Sequence, residues 1–240
     1  DAHRWLQGDQ FDAVMNYHFT RPCLAFFGAR TLNHEMNERS GMGRVDPMSA
    51  EAFAARMTEV TQMYHPDVVR VQLNLLDSHD TARYLSAVGG DVTAHHLALV
   101  FQFTYVGVPC LYYGSEQLLD GAGGGPDPDR YLREAMFGGA FGPFRSRDRH
   151  VFDEDAPVYR QLGELLGLRR AEPAVRRGRQ YLREISGTAW VAVLGHGLLN
   201  SARVAIEQNV LGPLEPETAW LLDLSSWALW IAAAWMVLRL

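Results

Sequence analysis

Two patterns of hydrophobic and polar positions alternate along residues 1–186. In one pattern, apolar residues recur every three or four positions, which is typical of a helix with one buried face. In the other, a short apolar run ends in polar or glycine-containing residues, which is typical of a buried strand. The order strand, helix, strand, helix, strand, helix predicts an α/β fold with a parallel sheet and right-handed crossovers.

The predicted strands cover residues 11–17, 69–75 and 110–113. The second of them is the most regular, because apolar and polar residues alternate with the period of two that is typical of a strand. Its apolar positions are Val69, Val71, Leu73 and Leu75, and its polar positions are Arg70, Gln72 and Asn74.

Three helices are predicted from the apolar stripes. The first begins after Ser49, which can cap a helix, and ends before Pro66. The stripes of the other two helices cover residues 97–104 and 158–166. Residues 30–46 are polar and irregular, and the glycines among them predict a loop.

A cluster of polar residues directly follows the central predicted strand, namely Asp77, Ser78, His79, Asp80 and Thr81. Ligands in barrels and open α/β sheets bind at the carboxyl ends of parallel strands, so His79 and Asp80 stand where chemistry is expected. The same run also suits a turn or a helix cap, because its short side chains can satisfy backbone N–H groups. The cluster alone leaves both interpretations open.

Charge and cysteine content narrow the classes of function. A formal net charge of -6 and the absence of a basic block argue against a general nucleic-acid binder. Cys23 and Cys110 are the only cysteines, and buried free thiols are favoured over a disulfide. Glycines at 121–125 do not match the spacing of a dinucleotide-binding loop. No metal site and no cofactor are therefore expected.

Three segments carry motifs in a defined order. They are FDAVMNY at 11–17, NLLDSHDTAR at 74–83 and GVPCLYYGSEQ at 107–117, and a weaker fourth, GGPDPDRYLREAM, lies at 124–136. Together they resemble the alpha-amylase family of glycoside hydrolases, and within it the neopullulanase, cyclomaltodextrinase and maltogenic amylase type. The first three resemble the sixth, seventh and eighth strands of that family's barrel, and the resemblance extends over residues 1–186.

This resemblance implies a partial TIM (β/α)8 barrel, with residues 1–186 as the C-terminal half of the catalytic domain. It also implies cleavage of α-glucosidic bonds in maltooligosaccharides or related α-glucans with retention of configuration. Retaining hydrolysis needs a carboxylate nucleophile and a carboxylic acid, about 5 Å apart across the scissile bond. In the family both groups precede the part present here. We therefore expect the isolated chain to be inactive and to require the upstream half of the barrel.

The resemblance implies roles for five residues. Asp80 matches a third carboxylate that stabilises the oxocarbenium-like transition state, which makes it the catalytic residue of this chain. His79 matches a histidine that hydrogen-bonds the same sugar. Asp129, Arg130 and Arg133 fall in the family's sugar-binding loop, where two additional residues leave open which arginine corresponds to the family's arginine.

Other residues near these motifs have structural interpretations. Asp9 and Asp12 lie before or at the start of a predicted strand, which is the wrong end for catalysis in a barrel. Glu116 is expected to support the framework of the site rather than to transfer a proton. Tyr112 and Tyr113 can stack on sugar, but packing is favoured on general burial preferences.

Residues 187–240 do not follow the family pattern, which has a small β-sandwich there. The segment 219–240 is apolar with four tryptophans, but Asp223 interrupts it. The remaining stretch, 224–238, is shorter than the ~20 residues that a membrane span needs, so an atypical or buried tail is favoured over a membrane anchor. No secretory signal is visible at the start of the chain, and the cytoplasm is the default location.

Two further functions stay open. One is a non-catalytic, truncated relative that binds sugar or a partner and is attached to a membrane by its apolar tail. The other, within enzymes, is a transglycosylase or a disaccharide isomerase. The residues present do not distinguish these from hydrolysis, because they do not report how well water competes as the acceptor.

Overall fold

The described residues contain a three-stranded parallel sheet. The structure is a computed structural model, and it describes residues 2–121, 132–134, 136, 152–178, 180 and 182. The strands are β1 (Met15–Asn16), β2 (Leu73–Leu75) and β3 (Val108–Cys110), in the spatial order β1-β2-β3. Both pairings are parallel. The predicted α/β class and the parallel sheet are confirmed.

Helices connect the strands and pack on one another around a buried core. Phe19, Phe53, Phe101 and Tyr105 are among its largest fully buried side chains, and their rings lie in mutual contact. The helices of the described residues are α1 (Tyr17–Phe27), α2 (His34–Arg39), α3 (Ala50–Gln62), α4 (Pro66–Val69), α5 (Tyr84–Ala87), α6 (Val92–Thr104), α7 (Pro157–Ala171) and α8 (Pro173–Arg177).

The three predicted helices are confirmed as α3, α6 and α7. Helix α3 begins after Ser49, whose hydroxyl accepts a hydrogen bond from the Ala52 N–H at 3.2 Å. Helix α6 begins after Asp91, whose carboxylate accepts from the Ala94 N–H at 3.0 Å. Helix α7 ends before Pro173, as its pattern predicts. Apolar stripes and capping residues were therefore sufficient to locate these elements.

The predicted strand over 69–75 is wrong in its first half. The short helix α4 begins at Pro66 and ends at Val69. His65 caps it, because its Nδ1 accepts a hydrogen bond from the Asp67 N–H at 3.3 Å. The strand proper is only Leu73–Leu75. The alternation also misleads about the interior, because Val71 is 40% exposed whereas the intervening Gln72 is buried.

Side-chain hydrogen bonds explain why polar residues occupy the interior of the sheet. Asn16 Nδ2 donates to Asn74 Oδ1 at 2.8 Å, and Asn74 Nδ2 donates to the Val106 carbonyl at 2.6 Å. Gln102 Nε2, from α6, donates to the carbonyls of Asn74 and Cys110 at 2.8 and 3.0 Å. These bonds offset the desolvation cost that burying amides would otherwise carry.

Three other boundaries also differ from the sequence prediction. The strand expected over 11–17 is limited to Met15–Asn16, because Tyr17 is already the first residue of α1. The strand expected over 110–113 lies two residues earlier, at Val108–Cys110. The loop expected over 30–46 contains helix α2, which Asn33 caps by accepting from the Met36 N–H at 3.0 Å.

Several predictions concern residues that lie outside the described part of the chain. These are the atypical C-terminal region at 187–240, with its apolar tail, and the loop residues Asp129 and Arg130. Within the described ranges, no helix has both the length and the apolar character needed to cross a membrane. Cys23 and Cys110 are free thiols, and Cys23 is fully buried. The prediction of free thiols is confirmed, whereas burial holds for Cys23 only, because Cys110 is partly exposed.

Candidate functional site

The loop that follows β2 presents His79 and Asp80 at the carboxyl end of the sheet. Inside the loop, the Ser78 N–H donates to Thr81 Oγ1 at 3.1 Å, and the Asp80 N–H donates to Ser78 Oγ at 3.0 Å. Ser78 and Thr81 therefore satisfy backbone groups, as the turn interpretation predicts. The side chains of His79 and Asp80 remain 52% and 56% exposed. The turn and the exposed pair belong to one structure, and the two interpretations do not compete.

The Asp80 carboxylate has a polar neighbour at each oxygen. His79 Nε2 lies 3.2 Å from Oδ1, and the Tyr17 hydroxyl donates to Oδ2 at 3.3 Å. Tyr17 also lies 3.1 Å from Ser78 Oγ. Burial raises the pKa of Tyr17, so its hydroxyl keeps its proton at neutral pH and remains a donor. The carboxylate is thus oriented by groups from two elements, the β2 loop and the start of α1.

Asp77, three residues before Asp80, has a structural task. It is buried, and its carboxylate accepts hydrogen bonds from the Tyr84 N–H at 2.9 Å and from Ser115 Oγ at 3.0 Å. Burial raises the pKa of Asp77, and the nearby Arg83 opposes that rise. Asp77 therefore joins the β2 loop to the turn after β3.

Arg83 is a fully buried cation beside this loop. Its guanidinium carbon lies 4.5 Å from the ring centre of Tyr112 and 4.6 Å from that of Tyr113. Its Nη1 donates to the Tyr113 carbonyl, and its Nε is 4.0 Å from Glu134 Oε1. Both rings therefore pack against Arg83, which agrees with the packing interpretation of these tyrosines. Neither Arg83 nor Tyr17 was singled out from the sequence.

The remaining candidate residues are distributed unevenly. Arg133 is exposed, in the short described segment 132–134, whereas Asp129 and Arg130 lie outside the described residues. Glu116 is partly buried in the turn after β3, and its Oε2 has no hydrogen-bond partner within the described part of the chain. Asp9 and Asp12 are exposed and precede β1. Among the described residues, no group of three or more His, Cys, Asp or Glu side chains could hold a metal ion.

Chemically, the site offers a half-exposed carboxylate with an adjacent imidazole. Such a pair can accept and donate hydrogen bonds to sugar hydroxyls, and the carboxylate can stabilise positive charge that develops on a bound molecule. Asp77 is not available for direct chemistry, because it is buried and its oxygens are hydrogen-bonded to Tyr84 and Ser115.

Comparison with known families decides the membership of the chain. A family description of the alpha-amylase catalytic domain matches residues 1–178. The chain belongs to the alpha-amylase family. Membership implies that the family's TIM barrel is the fold to which this parallel sheet belongs.

Relatives of this chain include proteins with the names of the subgroup that the motifs resemble. A cyclomaltodextrinase of Geobacillus thermopakistaniensis is 37% identical over 181 residues, which are 74% of this chain and 25% of the relative. Neopullulanase 2 of Thermoactinomyces vulgaris is 40% identical over 129 residues, which are 54% of this chain and 19% of the relative. The chain therefore spans about a quarter or less of the length of these alpha-amylase relatives.

Solved structures of glycoside hydrolases are similar to this chain as well. A debranching enzyme of Nostoc punctiforme has a TM-score of 0.60 and 30% identity, with 78% of this chain and 35% of that chain covered. A cyclic alpha-maltosyl-(1→6)-maltose hydrolase of Arthrobacter globiformis, in complex with maltose, has a TM-score of 0.56 and 29% identity. The match covers 77% of this chain and 35% of that one.

Proposed function

We propose that the natural protein is a retaining glycoside hydrolase of the alpha-amylase type, which cleaves α-glucosidic bonds of maltooligosaccharides or related α-glucans. The observation that carries the proposal is the half-exposed Asp80 carboxylate, oriented by Tyr17 and His79 at the carboxyl end of a parallel sheet in a member of this family. In TIM-barrel enzymes, chemistry takes place at this end of the strands.

In this proposal Asp80 stabilises the transition state. Cleavage of a glycosidic bond develops positive charge on the sugar ring, and a fixed anion near that charge lowers the barrier. Asp80 and His79 also hold hydroxyl groups of the same sugar, which fixes its position relative to the nucleophile. The nucleophile and the acid come from the upstream half of the barrel, and the present strands are its sixth, seventh and eighth.

Sugar beyond the cleavage point is bound by the loop that contains Asp129, Arg130 and Arg133. The support for this assignment is the sequence of 124–136, together with the exposed position of Arg133. Residues 1–186 form the C-terminal half of the catalytic barrel in this proposal, and 187–240 form a separate, atypical region. The names of the cyclomaltodextrinase and maltosyl-maltose hydrolase relatives support an α-glucan as the substrate.

The test is Asp80→Asn in the protein at its natural length, assayed on maltotriose and on β-cyclodextrin. The amide has nearly the same shape as the carboxylate but no charge, so kcat is expected to fall by about a thousandfold or more. Asp155→Asn is the matched control, because Asp155 is an exposed carboxylate paired with Arg160 and lies outside the site. Turnover of Asp80→Asn within a few-fold of the unsubstituted protein would overturn the proposal.

A second candidate function is sugar or partner binding by a non-catalytic relative with a membrane-attached tail. The apolar segment 219–240 with its four tryptophans motivates it. This function predicts that the protein stays bound to membranes during carbonate extraction and that deletion of 219–240 abolishes this binding. It also predicts no turnover of α-glucans.

Transglycosylation or disaccharide isomerisation is distinguished from hydrolysis by analysis of the products formed from maltotriose.

A further inference from the structure

Arg83 is the point at which three segments of the site meet. It lies three residues after Asp80, and its guanidinium is enclosed by the rings of Tyr112 and Tyr113. The carboxylate of Glu134 faces it from the third segment, with 4.0 Å between Arg83 Nε and Glu134 Oε1. Both side chains of this pair are 0% exposed. A single buried cation thus contacts the loop after β2, the segment after β3 and the segment 132–134.

The two tyrosines extend this contact to the backbone on both sides of Arg133. The Tyr112 hydroxyl donates to the Leu132 carbonyl at 3.1 Å, and the Tyr113 hydroxyl donates to the Glu134 carbonyl at 2.8 Å. Arg133 itself is exposed. The carbonyl groups of both neighbours of Arg133 are therefore held by the two tyrosines.

Glu134 completes the arrangement from the other side. Its Oε1 accepts a hydrogen bond from the Gly121 N–H at 2.7 Å, so the same oxygen that faces Arg83 also holds the chain at residue 121. A buried carboxylate and a buried guanidinium are costly to desolvate singly, and removal of one leaves the other uncompensated. The geometry consequently depends on both members being present.

We propose that Arg83 is a positioning residue, which sets the α-glucan affinity and turnover of the site by holding the Asp80 loop and the Arg133 segment in one mutual geometry. This inference rests on the proposed function, and it selects Arg133 as a sugar-binding arginine of the loop. Glu134 supports the same geometry, because its carboxylate faces Arg83 and accepts a hydrogen bond from the Gly121 N–H.

The kinetic test uses Arg83→Lys, Glu134→Gln and the control Arg169→Lys in the protein at its natural length. Lysine keeps the charge of Arg83 but lacks the planar guanidinium that packs against both rings. Arg169 is a matched control, because its guanidinium also holds backbone carbonyls, those of Phe103 and Tyr105 at 2.8 and 3.1 Å, and that of Gly107 before β3. Its substitution removes comparable bonds at the opposite end of that strand.

We expect a different loss of kcat/KM for each variant on maltotriose. Glu134→Gln lowers kcat/KM about tenfold, because glutamine keeps the size of the side chain but removes the charge that faces the buried Arg83. Arg83→Lys lowers kcat/KM about a hundredfold with both constants affected, since a displacement of about 1 Å has an effect of this size. Arg169→Lys keeps both constants within about threefold of the unsubstituted protein.

A second readout needs no sugar. Trypsin cleaves after arginine, and cleavage after Arg133 requires the held segment to detach locally. Arg83→Lys is expected to accelerate this cleavage about tenfold, whereas Arg169→Lys leaves its rate unchanged. Cleavage is followed by mass spectrometry of the peptide that ends at Arg133.

The outcomes separate the two proposals. Absence of turnover in the unsubstituted protein overturns the proposed function and, with it, the role of Arg83 in α-glucan affinity. If the unsubstituted protein is active and Arg83→Lys matches Arg169→Lys in both kinetics and cleavage, the positioning role is wrong while the proposed function stands. A kinetic loss without faster cleavage after Arg133 also overturns the shared geometry that the inference requires.

Discussion

At the scale of single residues, Tyr17 shows how the site depends on an element other than the loop that carries its carboxylate. It follows β1 directly and opens α1, and its hydroxyl reaches both Ser78 and Asp80. Since its pKa is raised by burial, the hydroxyl donates over the whole neutral range of pH. Its contribution is to keep one oxygen of Asp80 oriented without adding charge.

Replacing Tyr17 by Phe is expected to reduce kcat/KM on maltotriose about tenfold. A hydrogen bond to a charged acceptor contributes about 1.5 kcal/mol or more, which corresponds to that factor. Tyr159→Phe is the control, because Tyr159 is an exposed tyrosine on α7. Equal activity of the two variants would contradict the orienting role.

At the scale of secondary-structure elements, the three helices with apolar stripes were predicted, and the three strands were located but with wrong bounds. The ends of α3 are signalled locally, by the cap at Ser49 and by Pro66 beyond its last residue. The strands are only two or three residues long, and their interior face carries amides whose partners are far away in sequence. No pattern of hydrophobicity can reveal that Asn74 will find the Val106 carbonyl.

The candidate site divides in the same way. Asp80 and His79 were predicted, because their motif is local and their position after a strand has a physical meaning. Arg83 and Glu134 were missed, because their contact joins residues 83 and 134 through folding. One local signal was present: Arg83 is a charged residue among the apolar residues Ala82, Tyr84 and Leu85.

Helix α6 carries a buried histidine with consequences for acid stability. His95 is 1% exposed, it lies against the Tyr84 ring, and burial lowers its pKa from 6.5 to about 3, with a smaller effect from His96. At a pH between about 3 and 6.5, His95 is protonated in the unfolded chain but not in the folded protein. The free energy of unfolding therefore falls as the pH drops below 6.5.

His95→Phe is expected to reduce this pH dependence. By linkage, the His95 contribution lost between neutral pH and pH 5 is about 2 kcal/mol, and phenylalanine cannot take up a proton. The measurement is amide hydrogen exchange of α6 at both pH values, corrected for intrinsic rates. An equally steep loss of protection in His95→Phe would exclude His95 as the cause.

At the scale of the whole molecule, the sheet has three strands among the residues that the structure describes. β1 and β3 are its outer strands, and apolar side chains at and just after β3 are partly exposed, with Val108 at 41%, Leu111 at 36% and Tyr113 at 39%. Unpaired strand edges are normally covered or paired in native proteins.

The isolated chain of 240 residues is therefore expected not to hydrolyse a chromogenic maltoside above the rate of a buffer blank. Retaining hydrolysis needs a nucleophile and an acid that the family supplies from the upstream half. Hydrolysis by the isolated chain that disappears in Asp80→Asn would contradict this expectation, because it would require both groups to come from the residues present.

The hydrogen-bonded amides inside the sheet also fix the register of its strands. Side chains alternate between the two faces of a strand, so a slip of β2 by one residue would turn Asn74 away from both Asn16 and the Val106 carbonyl. A purely apolar interior would tolerate such a slip more readily than paired amides do. Because β2 has a single register relative to β1 and β3, Asp80 and the tyrosines after β3 leave the sheet at matching levels.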